Sequence, residues 1–143
     1  MTSKPIFTHR KIPGFSIIEL MIVIAIVALL VTLAFPSYQR YIKKANRSEA
    51  QKLILSYANL EEIWRSGNSS YADETGIAVP THDLYTFYIR DSGNTCANSN
   101  PTATQYRIVA CASGDQVNDK DLGVSCSTIA LDQSNSRFPA ECW

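Results

Sequence analysis

Residues 15–36, FSIIELMIVIAIVALLVTLAFP, limit what this chain can become more than any other stretch. Up to Phe35 the run is apolar except for Ser16, Glu19 and Thr32. About 20 apolar residues at about 1.5 Å each span the hydrocarbon core of a bilayer, so a helix here is long enough to cross a membrane. Glu19 is the exception that needs a reason. A carboxylate in such a run costs about 2.5–3.5 kcal/mol at the helix centre and normally has a partner or a purpose.

The flanking residues supply one. Gly14-Phe15-Ser16-Ile17-Ile18-Glu19-Leu20, preceded by Lys4, Arg10 and Lys11, resembles the class III signal of type IV pilins and pilin-like proteins. The resemblance implies that residues 1–14 are a leader, cut after Gly14 by a prepilin peptidase, and that the new terminus at Phe15 is N-methylated. Cleavage there creates a cationic amine four residues, or one helical turn, from Glu19, so both charges lie on one helix face. An ordinary secretory signal places its cut after the apolar stretch and discards it. That alternative, with cleavage after Ala34, leaves Glu19 idle; cleavage after Gly14 keeps the helix in the mature chain.

Removing the leader takes three of the thirteen basic residues, leaving ten against thirteen acidic ones. This excludes a globally basic nucleic-acid binder. Counting basic residues does not orient the chain, because Arg40, Lys43, Lys44, Arg47 and Lys52 follow the apolar run and outnumber those before it. Cysteines are more informative. Cys96, Cys111, Cys126 and Cys142 are an even number in a small domain, which points to disulfides, an oxidising compartment and a periplasmic or outer location for the carboxy-terminal part.

Past Pro36 an apolar stripe of helical period continues through Tyr38, Ile42, Ala45, Ala50, Leu53, Tyr57, Leu60 and Trp64. The expectation is one long helix over residues 15–65, its first half (15–36) transmembrane, with a kink at Pro36. Residues 66–83 are rich in turn formers and read as a connecting loop with candidate subunit contacts. Within it, Asn68-Ser69-Ser70 matches a glycosylation sequon, a short pattern of low specificity. Residues 84–143 carry three strand candidates, 84–89, 105–111 and 127–131, the first two as a hairpin across a turn-rich linker. The fold class is α+β: a long amino-terminal helix packed on a small antiparallel sheet, closed by a disulfide-containing carboxy-terminal region.

The ending extends the resemblance. Cys126-Ser127-Thr128-Ile129-Ala130-Leu131-Asp132-Gln133, followed by Cys142-Trp143, is similar to the end of minor pilins of the PilE type, from which it departs at Ser127 and Asn135, where glycine is usual. Four cysteines allow three pairings. The resemblance implies Cys126 with Cys142, and the pairing taken for the others is Cys96 with Cys111, tying the hairpin linker to its second strand.

Other chemistry finds less support. Asp115, Asn118, Asp119 and Asp121 offer oxygen ligands for calcium, but EF-hand spacing is absent and a solvated acidic loop is the simpler reading. The cysteines lack the close pairs of zinc sites. Arg40, Lys43, Lys44 and Arg47 suit DNA or anionic lipid, or simply mark the water boundary. His9 leaves with the leader, His82 is the other histidine, and neither a Gly-x-Ser-x-Gly elbow nor a phosphate loop occurs, so no enzyme and no cofactor are expected. The expected function is that of a minor subunit of a bacterial type IV pilus, acting in pilus assembly, adhesion, twitching or DNA uptake. Its partners are other pilin subunits, the prepilin peptidase, an inner-membrane assembly platform and membrane lipid. A pseudopilin of type II secretion and a DNA-receptor pilin are the alternatives.

Overall fold

The computed structural model describes residues 14–143, so the leader's basic residues and His9 lie outside the described residues. Two compact units divide between Tyr38 and Gln39. Helix α1 runs Ile17–Gly67, with Pro36 inside it. In the first unit every residue from 14 to 38 is exposed, including Phe15 at 82% and Leu33 at 73%. The helix begins where the Ser16 hydroxyl accepts the Ile18 amide hydrogen at 3.3 Å and the Ser16 carbonyl accepts that of Leu20 at 3.1 Å.

The second unit is built on a four-stranded antiparallel sheet of order β1-β2-β5-β6, comprising β1 (Tyr85–Arg90), β2 (Arg107–Ala112), β5 (Thr128–Asp132) and β6 (Arg137–Phe138). Between β2 and β5 the chain forms a 3₁₀ turn, Gly114–Asn118, and a small hairpin of β3 (Lys120–Asp121) and β4 (Val124–Ser125). A second 3₁₀ turn, Ala140–Cys142, ends the chain. Alternation in β1 turns Tyr85, Phe87 and Ile89 inward. They meet Ile108 and Ala110 of β2, Ile129 and Leu131 of β5, and Ala50, Ile54 and Tyr57 of α1 in one core. Each large apolar side chain buried there stabilises by about 1.5–3 kcal/mol.

The helix face that enters this core differs from the sequence stripe. Buried positions are Arg47, Ala50, Ile54, Tyr57 and Glu61, spaced three and four apart, whereas Leu60 is 46% exposed and Tyr38 63%. The true stripe is rotated from the expected one and has a charged residue at each end. Apolar content alone misplaces it, because Leu53 and Leu60 flank the buried line and Arg47 and Glu61 find polar partners inside.

Cys96 is bonded to Cys111, attaching the loop after β1 to β2, and Cys126 is bonded to Cys142, fixing the last turn to the start of β5. The β5–β6 turn is organised by Asp132. Its Oδ1 accepts from the Ser134 amide, the Ser134 hydroxyl and the Ser136 amide, and its Oδ2 from Arg107 at 2.8 Å. Asn135 takes φ 60° at this turn, the left-handed region that asparagine tolerates.

Candidate functional site

The candidate site in the first unit is the apolar run with its one carboxylate. Gly14 and Phe15 lie in irregular, exposed backbone just before α1, and Glu19 sits in the helix's first turn. Both residues of the Gly14–Phe15 bond are exposed to solvent. Glu19 is exposed, and among the described residues no salt bridge reaches it.

In the second unit the polar residues that matter are ones the sequence reading placed elsewhere. Arg47, grouped by sequence with Arg40, Lys43 and Lys44 at the water boundary, is instead buried. Its Nη1 donates to Asp119 Oδ2 at 3.0 Å and its Nη2 to Asp121 Oδ2. The acidic loop read as solvated is exposed at Asp115 and Asn118, but Asp119 is 4% exposed, and the cation between its carboxylate and that of Asp121 is a guanidinium. Arg47 sits on the helix one turn before Ala50, so the strand β3 and the 3₁₀ turn are drawn onto α1 by this fork.

Gln116 completes the anchor. Its amide nitrogen lies 3.0 Å from the Lys43 carbonyl, 3.0 Å from the Tyr85 hydroxyl and 3.3 Å from Asp119, while its oxygen accepts from Asn46. Burial pushes the Asp119 carboxyl above its ordinary range, with Arg47 opposing. Burial likewise pushes the Tyr85 hydroxyl up to about 12, against the hydrogen bond from Gln116.

The other end of the stripe holds the loop after α1. Glu61 Oε2 accepts the Ala72 amide hydrogen at 2.9 Å. The Tyr57 hydroxyl and Glu61 Oε1 are both buried, and among the described residues neither has a hydrogen-bond partner. Burial raises the pKa of both, and the Ala72 amide partly offsets this for Glu61. The available signal for these residues was the spacing 47, 50, 54, 57, 61, a helical line whose ends are charged. Among the described residues no three His, Cys, Asp or Glu side chains gather as a metal-binding group.

A helix whose first part is apolar and uncovered, followed by an antiparallel sheet and a terminal disulfide, defines the type IV pilin class of fold. A solved type IV pilin from Shewanella oneidensis shares it, with a TM-score of 0.53 at 22% identity, covering 71% of this chain and 97% of that one. Residues 9–35 match the prokaryotic N-terminal methylation motif, and residues 36–130 match the family described as "Type IV minor pilin ComP, DNA uptake sequence receptor". The chain belongs to this family of type IV minor pilins. Among sequence relatives, a type IV major pilin protein PilE1 of Neisseria gonorrhoeae is 36% identical over 85 residues, covering 54% of this chain and 49% of that protein. The fimbrial protein EcpC of Eikenella corrodens is 35% identical over 79 residues, covering 50% of this chain and 49% of its own. The chain thus spans about half the length of these curated relatives.

Proposed function

We propose that this chain is a minor subunit of a type IV pilus. It is held in the inner membrane by residues 15–36 with its disulfide-bonded domain on the periplasmic side, and it enters the filament through the same helix. The observation that carries this reading is the uninterrupted exposure of residues 15–35, an apolar surface that nothing else among the described residues covers. In lipid that surface is satisfied and Glu19 is not. In a filament the apolar surface is satisfied by neighbouring helices, and Glu19 by the terminal amine of Phe15 on its own or an adjacent subunit. Processing after Gly14 by a prepilin peptidase, N-methylation of Phe15 and passage through an inner-membrane assembly platform belong to the same reading.

Two measurements test it. Intact mass and amino-terminal sequencing of the protein recovered from the envelope without reducing agent should show a chain that starts at Phe15, carries one methyl group and lacks the hydrogens of two disulfides. A start at Phe35 refutes it. Glu19→Ala should leave the membrane pool intact while depleting the subunit from sheared filaments about tenfold or more, since a buried unpaired amine then costs at least 1–3 kcal/mol; normal incorporation would sink the assembly role of Glu19.

A second reading concerns what the subunit does once displayed. The family that matches residues 36–130 is described as a DNA uptake sequence receptor, which favours DNA binding over adhesion or twitching. The domain from Gln39 onward should bind duplex DNA with an affinity that falls as salt rises. Salt-independent or absent binding removes this reading and leaves the assembly role untouched.

A further inference from the structure

Where α1 ends, a cleft of about 350 Å³ opens in the second unit, with Trp64, Asn68 and the loop through Asp73 on one side and Asn100 and Pro101 on the other. The function proposed above uses none of it. Its walls are tied together. The Tyr71 amide donates to the Thr102 carbonyl at 3.2 Å, Asn98 Nδ2 donates to Glu74, and the Cys96–Cys111 bond anchors the segment leading to the second wall on β2. The cleft is therefore formed in advance, and a ligand need not order it.

The lining combines one aromatic ring with uncommitted polar atoms. Gly76 lies so close to Trp64 that a Cβ there would stand 3.1 Å from Cζ2 and 3.2 Å from Cη2, which fixes the indole where it borders the cleft. Tyr71 also borders the cleft, but its ring is engaged: Tyr106 is tilted against it at a centroid distance of 4.6 Å, and the Arg65 guanidinium stands 5.8 Å from its centroid. Asn68 Nδ2 donates to the Trp64 carbonyl at 2.9 Å, leaving its Oδ1 to accept from a ligand. Asp73 Oδ1 accepts from the Thr75 amide, the Thr75 hydroxyl and the Gly76 amide, leaving Oδ2. Those bonds, the Thr75 hydroxyl first, hold the Asp73 carboxyl below its ordinary range, so it is an acceptor at neutral pH. Asn100, exposed on the opposite wall, offers both a donor and an acceptor.

We propose that this cleft binds a neutral pyranose sugar, its C–H face laid on Trp64 and its hydroxyls on Asn68, Asp73 and Asn100. A sugar ring has an apolar face and a rim of groups that both donate and accept, the complement of one indole beside two acceptors and an amide. An anion does not suit the site. Asp73 repels it, and Arg65 turns Nε to the Ala103 carbonyl at 3.1 Å and Nη1 to the Asn68 carbonyl at 2.6 Å. A quaternary ammonium ion suits a cage of several aromatic faces, and with Tyr71 engaged Trp64 is the one aromatic ring left to it. The volume is near the lower end for small-molecule pockets, so it takes roughly one or two sugar rings. A β-galactoside presents the broadest apolar face, because its axial O4 leaves the hydrogens of C3, C4 and C5 together on one side. The site belongs to the domain's own cleft and does not rest on the pilus reading.

Saturation-transfer NMR with methyl β-galactoside, on the full chain purified in a detergent without a sugar head group, tests this. A methyl hexoside has roughly a dozen non-hydrogen atoms, which at ordinary ligand efficiency gives a Kd of about 1 mM. Transfer should be strongest at the hydrogens of C3, C4 and C5. The Kd should change less than about twofold over a tenfold rise in salt, unlike that of a DNA complex. Trp64→Ala should weaken binding about tenfold or more. Because Trp64 also packs on Gly76, the second variant is Asn100→Ala, at an exposed side chain, which should weaken binding about fivefold with the unfolding midpoint unchanged. Trp143→Phe, which removes the other tryptophan, should leave the Kd as it was. Absence of transfer from the folded chain at about twenty times the expected Kd overturns the site. Binding that neither Trp64→Ala nor Asn100→Ala weakens places the sugar elsewhere and overturns it too. Transfer to thymidine or choline without transfer to the galactoside overturns the sugar assignment in favour of a nucleobase or an ammonium ion.

Discussion

Replacing Arg47 by methionine isolates the polar anchor between α1 and the β3–β4 region. The side chains of Arg47 and Asp119 are 4% and 5% exposed, and that of Asp121 is 30% exposed. Methionine fills most of the space of the arginine stem, so the loss is chiefly electrostatic. Asp121 can turn to water and contributes little. Asp119 cannot, and keeps the Gln116 amide at 3.3 Å as its side-chain donor. Breaking a buried pair costs about 3–5 kcal/mol; with one of the two carboxylates rescued by solvent the lower end, about 3 kcal/mol, is expected at neutral pH. For a domain of about a hundred residues that is a fall in Tm of roughly 12–24 °C. The assay is urea and thermal unfolding of the fragment from Gln39 to the end, disulfides intact, at several pH values. An uncompensated buried carboxylate has a folded pKa above its unfolded one. Its penalty is therefore full above the folded value and disappears below the ordinary carboxylate range, so the deficit of Arg47→Met should shrink on acidification. Adding Asp119→Leu should recover more than half of it, since replacing both partners by apolar groups is near neutral. A loss below about 1 kcal/mol, or one independent of pH, would refute the assignment of Arg47 as the counter-charge of Asp119.

Three further outcomes follow from the same packing. Glu61→Gln keeps the acceptor for the Ala72 amide and removes a carboxylate whose pKa burial raises; the variant should match the parent near pH 4 and exceed it at neutral pH by up to about 2 kcal/mol in urea unfolding, because the parent loses stability as pH climbs through the raised value. Replacing Cys126 and Cys142 together by serine opens a loop with a sequence separation of 16 residues and should cost about 3 kcal/mol, read as a lower urea midpoint. Asn135→Ala should cost about 1 kcal/mol because Asn135 stands at φ 60°, whereas Asn135→Gly should be near neutral by thermal unfolding.

What the sequence discloses here follows the range over which each feature is determined. The apolar run and its carboxylate are legible because composition over 20 residues decides whether a helix suits lipid, and no distant residue has a vote. Strand β1 is legible because five β-branched and aromatic residues stand in succession, Tyr85 to Ile89, and β2 and β5 because short apolar segments centred on Ile108-Val109 and Thr128-Ile129 are bounded by turn formers. Strands β3, β4 and β6 have two residues each and carry no period to read. Arg47 and Glu61 fail for a different reason. Taken locally each belongs in water, and what buries them is Asp119, at a separation of 72 residues, and the Ala72 amide across the loop after the helix. Hydrophobicity therefore places the helix but misses its rotation by part of a turn, with Leu60 left outside and Glu61 inside. That rotation has a consequence beyond bookkeeping of the core. The two charged ends of the buried line fix which face of α1 belongs to the domain, and hence which face carries Ile42 and Ile63 outward, exposed at 39% and 68%. A helix that must pack against other subunits along one face gains from having the opposite face keyed by polar contacts, because an apolar line alone tolerates slippage and a forked ion pair does not.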